Sequence, residues 1–317
     1  MSFQIVGTGR ATPDLVLTNE MVSKLVETDD EWITSRTGIK TRYISTHETM
    51  EELSTNAALN AIIKAGIAGS DIDLIICSTL QGDYICPSLS CLIQRNIAAS
   101  CPAFDINAAC SGFLYALDIA DAYIASGKLE TVLVVATEMM SRHIDWTDRA
   151  TCVLFGDGAG AVVLKKGEGL RSIKITARGD DKLLTIGSVF CQSPFAKQPQ
   201  IDPNFHMAGG EIFKFAVKSI LKDVKEVMKA ADVTVSDIKM MVPHQANLRV
   251  FQAVKEKLGF SDDQVASGID HYGNTSSASI PLLLDELLEA GKLGAGDIIV
   301  FTAFGGGLTT GACVIKL

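Results

Sequence analysis

Apolar and polar positions along this chain fall into two alternating rhythms. Short runs rich in β-branched residues occur at Ile5–Thr8, Leu74–Thr79, Ala103–Asn107, Val132–Thr137 and Ala159–Lys165. They return at Ser172–Ala177, Ile238–Pro243, Ile298–Ala303 and Ala312–Leu317. Their length and composition predict strands. Longer segments carry apolar residues at helical spacing: Asn19–Val26, Thr55–Ala65, Pro87–Ile97, Ser111–Ser126, Gly210–Ala230, Leu248–Leu258 and Ser279–Ala290. These predict helices. Strands that alternate with helices imply an α/β protein built in layers.

The two halves of the pattern echo each other. Ser126-Gly127-Lys128-Leu129 and Ala290-Gly291-Lys292-Leu293 each precede an apolar strand, 164 residues apart. Asp73-Leu74-Ile75-Ile76 and Asp237-Ile238-Lys239-Met240 are separated by the same 164. The step carries Cys110 onto Asn274 and Leu80 onto His244. Phe155-Gly156-Asp157-Gly158 and Phe304-Gly305-Gly306-Gly307 are only 149 apart, which places an insertion near Glu138–Leu154 in the first half. The pattern reads as an internal duplication with halves 1–168 and 169–317. Two such halves packed about a pseudo-twofold axis bring equivalent strand-to-helix loops to one crevice. Ligands bind at such loops in layered α/β folds.

Composition narrows the function. Of 317 residues, 47% are hydrophobic, enough for a large core. A net charge of −9 argues against nucleic acid as a partner. The eight cysteines (77, 86, 91, 101, 110, 152, 191 and 313) form no C-x-x-C pair, and Cys77 and Cys313 lie in apolar strand-like runs. Free buried thiols in a reducing compartment fit best. The histidines (47, 143, 206, 244 and 271) do not fall at metal spacing, so no metal is expected. The start lacks a secretory pattern, and no apolar run reaches the ~18 residues of a membrane span. A cytoplasmic protein off the membrane is expected.

Cys110 lies in Asn107-Ala108-Ala109-Cys110-Ser111-Gly112-Phe113, at the predicted start of a helix. Unpaired backbone N–H groups and the helix dipole there favour thiolate over thiol. Most cysteines in apolar surroundings are inert, and the other seven read that way. Cys110 differs in its small neighbours, which let a substrate approach. His244, in Pro243-His244-Gln245-Ala246-Asn247, follows a strand. Alone it reads as structural; opposite Cys110 it is a candidate to orient a thiolate or donate Nε2–H to an oxyanion. Asn274, in His271-Tyr272-Gly273-Asn274-Thr275-Ser276, reads as a helix cap or as a neutral donor to an enolate. The Phe304-Gly305-Gly306-Gly307 run is a turn, or a backbone N–H aimed at a thioester oxygen. These residues leave open a condensing enzyme, a cysteine hydrolase and a silent acyl-binding scaffold.

Taken together, the segments resemble the β-ketoacyl-acyl-carrier-protein synthase III family, the condensing enzymes that start type II fatty acid synthesis. The markers run from Asp30-Glu31-Trp32-Ile33 and Arg36-Thr37-Gly38-Ile39 through the Cys110 segment and Phe155-Gly156-Asp157-Gly158-Ala159-Gly160. They continue through the His244, Asn274 and Phe304–Gly307 segments. The resemblance implies a thiolase-like fold, two duplicated halves in a five-layered αβαβα arrangement, as a homodimer. It implies no cofactor beyond the substrates, an acyl-CoA (usually acetyl-CoA) and malonyl-acyl-carrier protein. Cys110, His244 and Asn274 would be catalytic, and the N–H groups of Cys110 and Gly306 would form the oxyanion site.

By the same resemblance, Trp32 and Arg149 would sandwich the CoA adenine with Arg36 nearby. Lys214 and Arg249 would contact the carrier protein, with Lys218 and Lys222 continuing the stripe. Such a stripe is otherwise an ordinary solvated face. Cys86, in Tyr84-Ile85-Cys86-Pro87, stands where many members place a Phe that closes the acyl pocket across the dimer. Thr310 likewise replaces an aromatic of some members, and together these open the choice of primer. A thiolase-fold ketosynthase of secondary metabolism, with another primer or acceptor, has the same triad and is the nearest rival.

Overall fold

The apolar runs assemble into two mixed sheets in the computed structural model, which describes residues 2–188, 194–195 and 201–317. The first sheet contains Ser2–Ala11 (β1), Leu74–Ser78 (β2), Ala103–Ile106 (β3), Thr131–Met139 (β4) and Asp157–Gly167 (β5), in the order β1-β5-β4-β2-β3. The second contains Leu170–Asp180 (β6), Met240–Pro243 (β7), Ile298–Gly305 (β8) and Gly307–Lys316 (β9), in the order β6-β9-β8-β7. Parallel and antiparallel neighbours match between the sheets. Where β3 has no counterpart, a single parallel bridge joins Met241 to Val265.

Seven helices matter for the site: Asp30–Thr37 (α1), Met50–Ala65 (α2), Leu89–Asn96 (α3), Gly112–Ala125 (α4), Gly209–Ala230 (α5), Leu248–Leu258 (α6) and Ser279–Glu289 (α7). Successive residues of β4 feed different cores, as a period of two requires. Val132, Val134 and Ala136 join Leu114 and Leu117 of α4 and Leu282 and Leu283 of α7 between the sheets. Leu133 and Val135 face Leu53 and Ala57 of α2 and Ile93 of α3 on the outside. In the second half, Val300 and Val314 meet Ile220 and Val224 of α5 and Phe251 of α6. The layers are therefore helix, sheet, helix, sheet, helix. Covered on both faces, the central strands read as continuous apolar runs.

The insertion predicted near Glu138–Leu154 occupies residues 140–156, between β4 and β5. It carries a 3-10 turn, Met140–His143, and a short helix, Arg149–Cys152. In the second half β8 passes to β9 through Gly306 alone.

Some boundaries differ from the expected ones. The Thr55–Ala65 helix begins at Met50, because Thr49 and Glu52 form a capping box ahead of it. The antiparallel pair Leu15–Thr18 with Thr41–Ile44 and the pair Leu184–Ile186 with Phe205–Met207 went unpredicted; each strand is only three or four residues long. The buried-thiol expectation holds for Cys77, Cys152 and Cys313 and fails for Cys86 and Cys91, which are exposed. Cys91 sits on the solvent side of α3, and Cys86 in the loop before it. Cys191 lies outside the described residues.

Candidate active site

One cavity of about 610 Å3 is lined by Cys110, His244, Asn274, Phe304 and Gly305, together with Trp32, Arg36, Lys214 and Arg249. His244 and Asn274 are buried and Arg36, Lys214 and Arg249 are exposed, so the cavity has a buried floor and a charged rim. Leu184, Phe205, Met207 and Ile212 give it apolar walls.

Cys110 sits in a 3-10 turn, Ala109–Ser111, just ahead of α4. Ala109 takes a left-handed φ of 48° and thereby turns the chain sharply before the cysteine. Gly305 packs against that turn, since a Cβ on it would lie 2.7 Å from the Cys110 nitrogen. The Thr309 hydroxyl links the two segments by donating to Ala108 (2.9 Å) and Gly306 (3.0 Å) carbonyls. Among the described side chains, Ser276 Oγ meets the Cys110 sulfur at 3.4 Å. The expectation of a depressed thiol pKa is not met. Burial pushes the thiol up to about 12, the Glu138 carboxylate adds to the rise, and the bond from Ser276 offsets only part of it.

Asn274 follows Gly273, whose φ is 63°. Its N–H donates to the Leu154 carbonyl (2.9 Å), and its carbonyl accepts from Gly156 N–H (3.1 Å). Its Oδ1 accepts from Ser276 N–H at 2.9 Å, which leaves the amide nitrogen for the cavity. His244 ends the path of β7, with its N–H on the Thr302 carbonyl at 2.8 Å. Its Nδ1 lies 2.8 Å from Ser279 Oγ, and Phe304 meets its ring edge-on at 5.5 Å. Burial lowers its pKa to about 3, so the imidazole is neutral.

Trp32 stands on the first turn of α1, which Asp29 caps. The Arg149 guanidinium lies 4.8 Å above its ring and that of Arg36 5.7 Å. Arg149 also donates to the Glu27 carbonyl at 3.0 Å. The three expected CoA residues are thus together, with Arg149 too close to Trp32 to admit a flat base between them. Asn247 caps α6 and ties it to the Arg36 carbonyl at 3.2 Å, which sets Arg249 beside α1. Lys214 pairs with Glu211 at 2.9 Å. Lys218 and Lys222 are exposed and do not line the cavity.

Neither of the two residues tied to primer choice lines the cavity of its own chain, which for Cys86 is what a contribution across a dimer requires. Cys86 is exposed and away from the cavity of its own chain. Thr310 is buried on the α5 side of β9, where it donates to Asp223 at 2.6 Å and pairs with Thr176 at 2.6 Å. It leaves the cavity wall untouched because its side chain faces α5. Gly306 borders the cysteine turn, although Gly305 makes the closer approach.

Four residues near the chemistry went unnoticed in the sequence: Glu138, Ser276, Ser277 and Ser279. Glu138 is 2% exposed and its pKa is raised to about 7 by burial, against the hydrogen bonds it accepts. Its only sequence signal was a lone charge closing the run Val134-Val135-Ala136-Thr137-Glu138.

The family model described as 3-oxoacyl-[acyl-carrier-protein (ACP)] synthase III matches residues 104–180, and that of its C-terminal part matches residues 228–317. A curated beta-ketoacyl-[acyl-carrier-protein] synthase III of Clostridium beijerinckii is 46% identical, with 99% of each chain covered. The chain belongs to the β-ketoacyl-acyl-carrier-protein synthase III family. The crystal structure of 3-oxoacyl-[acyl-carrier-protein] synthase III from Aquifex aeolicus superposes with a TM-score of 0.94 at 44% identity, covering 99% of this chain and 100% of that one. A priming β-ketosynthase of a polyketide pathway also superposes at 0.94, at 33% identity, covering 100% of this chain and 96% of that one. The five layers described above are the thiolase-like fold of this synthase III family.

Proposed function

We propose that this enzyme joins an acyl-CoA primer, acetyl-CoA in the simplest case, to malonyl-acyl-carrier protein and so initiates fatty acid synthesis. The observation that carries the mechanism is the convergence of Cys110, His244 and Asn274 on one cavity. Cys110 attacks the acyl-CoA thioester, CoA leaves, and the acyl group rests on the sulfur. Malonyl-acyl-carrier protein then loses CO2. The enolate oxygen takes hydrogen bonds from His244 Nε2 and Asn274 Nδ2, and its carbon attacks the acyl-Cys110 thioester. Decarboxylation makes the carbanion without a strong base.

The hydrogen bonding of His244 supports this donor role. Ser279 Oγ accepts the Gln245 N–H at 3.3 Å, which leaves its own proton for His244 Nδ1 and the ring hydrogen on Nε2. A neutral imidazole stabilises the enolate without protonating it. The N–H groups of Cys110 and Gly306 hold the tetrahedral oxyanion. Trp32, Arg36 and Arg149 hold the CoA nucleotide once Arg149 lifts from the indole. Lys214 and Arg249 receive the acidic carrier.

The two halves, 1–168 and 169–317, act as one catalytic unit, a reading supported by their matching strand orders. A homodimer accounts for the exposed Tyr84 and Ile85, at 57% and 87%. A partner subunit would cover them and bring Cys86 to its acyl pocket. The enzyme works on carrier-borne substrates in the cytoplasm; among the described residues no helix is long and apolar enough to cross a membrane. Fatty acid initiation is preferred to secondary metabolism because identity is 46% to a named synthase III and 33% to the polyketide priming enzyme.

Incubation with a panel of acyl-CoAs, mass mapping of the acylated residue and addition of malonyl-acyl-carrier protein test the reading. A label on Cys110 followed by a β-ketoacyl product supports it. No label on Cys110 ends it, and hydrolysis alone points to a thioesterase. The panel also reads out which primer the pocket accepts.

A further inference from the structure

Behind the nucleophile lies a carboxyl group that the condensation described above does not use. Glu138, near the end of β4, is buried, and no cation pairs with it among the described residues. Leu80 N–H donates to its Oε2 at 3.1 Å, and Ser277 Oγ donates to its Oε1 at 2.7 Å. Ser276 Oγ lies 3.4 Å from Glu138 Oε1 and 3.4 Å from Cys110 Sγ. Ser276 thus stands between the thiol and the carboxyl, placed to accept the Cys110 S–H while it donates its own proton to Glu138. A buried carboxyl without a cation is costly to ionise, and a structure that keeps one beside a nucleophile has a use for it.

We propose that Glu138 accepts the Cys110 proton through the Ser276 hydroxyl as the thiol attacks the acyl-CoA. The step rests on Cys110 being the acyl carrier. The Cys110 proton moves to Ser276 Oγ while the Ser276 proton moves to Glu138 Oε1. The sulfur electron pair bonds the acyl carbon. As the tetrahedral adduct collapses, the carbon–sulfur bond to CoA breaks, the Ser276 hydroxyl gives its proton to the departing CoA sulfur, and Glu138 returns the proton it holds to Ser276 Oγ. Ser276 touches the reacting sulfur; Glu138 acts through it. Burial places the carboxyl pKa at about 7, where an acceptor works near neutral pH. The titratable groups that face Glu138 are Cys110 from the 3-10 turn and Cys77 from β2, both with raised pKa and both neutral. This answers the high resting pKa of the thiol: the proton need not be lost to water before attack.

The test is the pH profile of two reactions of Cys110, single-turnover acylation by acetyl-CoA and alkylation by iodoacetamide. Wild-type acylation is expected to rise through pH of about 7, as Glu138 ionises. Glu138→Gln should slow acylation about 10²-fold at neutral pH and abolish that limb. It should also slow alkylation. A carboxylate that acts only as a neighbouring charge gives the opposite sign: its removal lowers the thiol pKa and speeds alkylation, and that result overturns the relay. Ser276→Ala keeps the carboxyl and cuts the path, so it should show the same losses; it carries the test if Glu138→Gln does not fold. Acylated Cys110 with unmoved profiles in both variants defeats the relay alone. Wild type left unlabelled at Cys110 defeats the acyl-carrier reading, and the relay with it.

Discussion

The Cys110 turn, Ala109–Ser111, is matched in the second half by Ser276–Ala278, since each opens on a non-glycine residue of positive φ (Ala109 at 48°, Ser276 at 51°) and leads straight into a helix. Ser277, not Asn274 as the 164-residue spacing implies, stands where Cys110 does, and Asn274 lies just ahead of that turn. The surroundings of Cys110 and Asn274 differ. Asn274 has its N–H, its carbonyl and its Oδ1 all engaged, so one amide group is left, fixed in direction. The Cys110 sulfur meets one side-chain donor among the described residues, a hydroxyl at 3.4 Å that has a second acceptor. A donor to a developing enolate works by holding still. A nucleophile has to change partners, from proton to acyl carbon and back. The hydrogen bonds around the two residues leave Asn274 rigid and Cys110 adaptable.

The largest effects should separate the two turns by half-reaction. Cys110→Ser should lower acyl transfer by on the order of 10³-fold or more, because a serine there lacks a base strong enough to ionise it. Asn274→Ala should leave acylation nearly unchanged and slow condensation by ~3 kcal/mol, roughly 10²-fold, the usual loss for one donor. Single-turnover acylation and malonyl-carrier decarboxylation, measured separately, check this. If Asn274→Ala damages acylation equally, the two turns are not functionally distinct.

The division of labour was partly legible in the sequence. The 164-residue echo put Cys110, His244 and Asn274 into one crevice, and the strand pattern was readable because both faces of the central strands are covered. The partners of these residues were not legible. Glu138 meets Ser277 across 139 positions, and His244 meets Ser279 across 35, with nothing in either local segment to announce the contact. The thiol pKa was misjudged for a related reason. A helix terminus is visible in sequence, whereas the desolvation of Cys110 and the nearby carboxylate exist only once the halves are packed.

Ser279 tests how firmly the rigid half is held. Ser279→Ala should lower condensation about tenfold, ~1.4 kcal/mol, by freeing the His244 ring, with acylation intact. His244 also links the site to stability. Its folded pKa of about 3 lies below the ordinary ~6.5, so between these values the unfolded chain binds a proton that the folded chain refuses. Stability should therefore fall as pH drops from about 6.5 toward 3. His244→Asn should flatten that part of the melting profile. An unchanged slope would show that His244 is not the neutral, buried imidazole described here.

An effect no larger than that of Ser279→Ala lies at the rim, where the two half-reactions use different substrates through one opening. Charge reversal at Lys214 and Arg249 should raise the Michaelis constant for malonyl-acyl-carrier protein about tenfold and spare acylation by acetyl-CoA, since rim charges act mainly on encounter. Arg249 should matter more than Lys214. Lys214 already pairs with Glu211, whereas among the described residues no carboxylate pairs with Arg249. Added salt should weaken carrier use by the wild type and have little effect on the doubly reversed variant, because exposed charges are screened over about 10 Å at 0.1 M. Equal losses for both substrates would place the two residues on the CoA path, and the rim would then serve the Cys110 half-reaction as much as the Asn274 one.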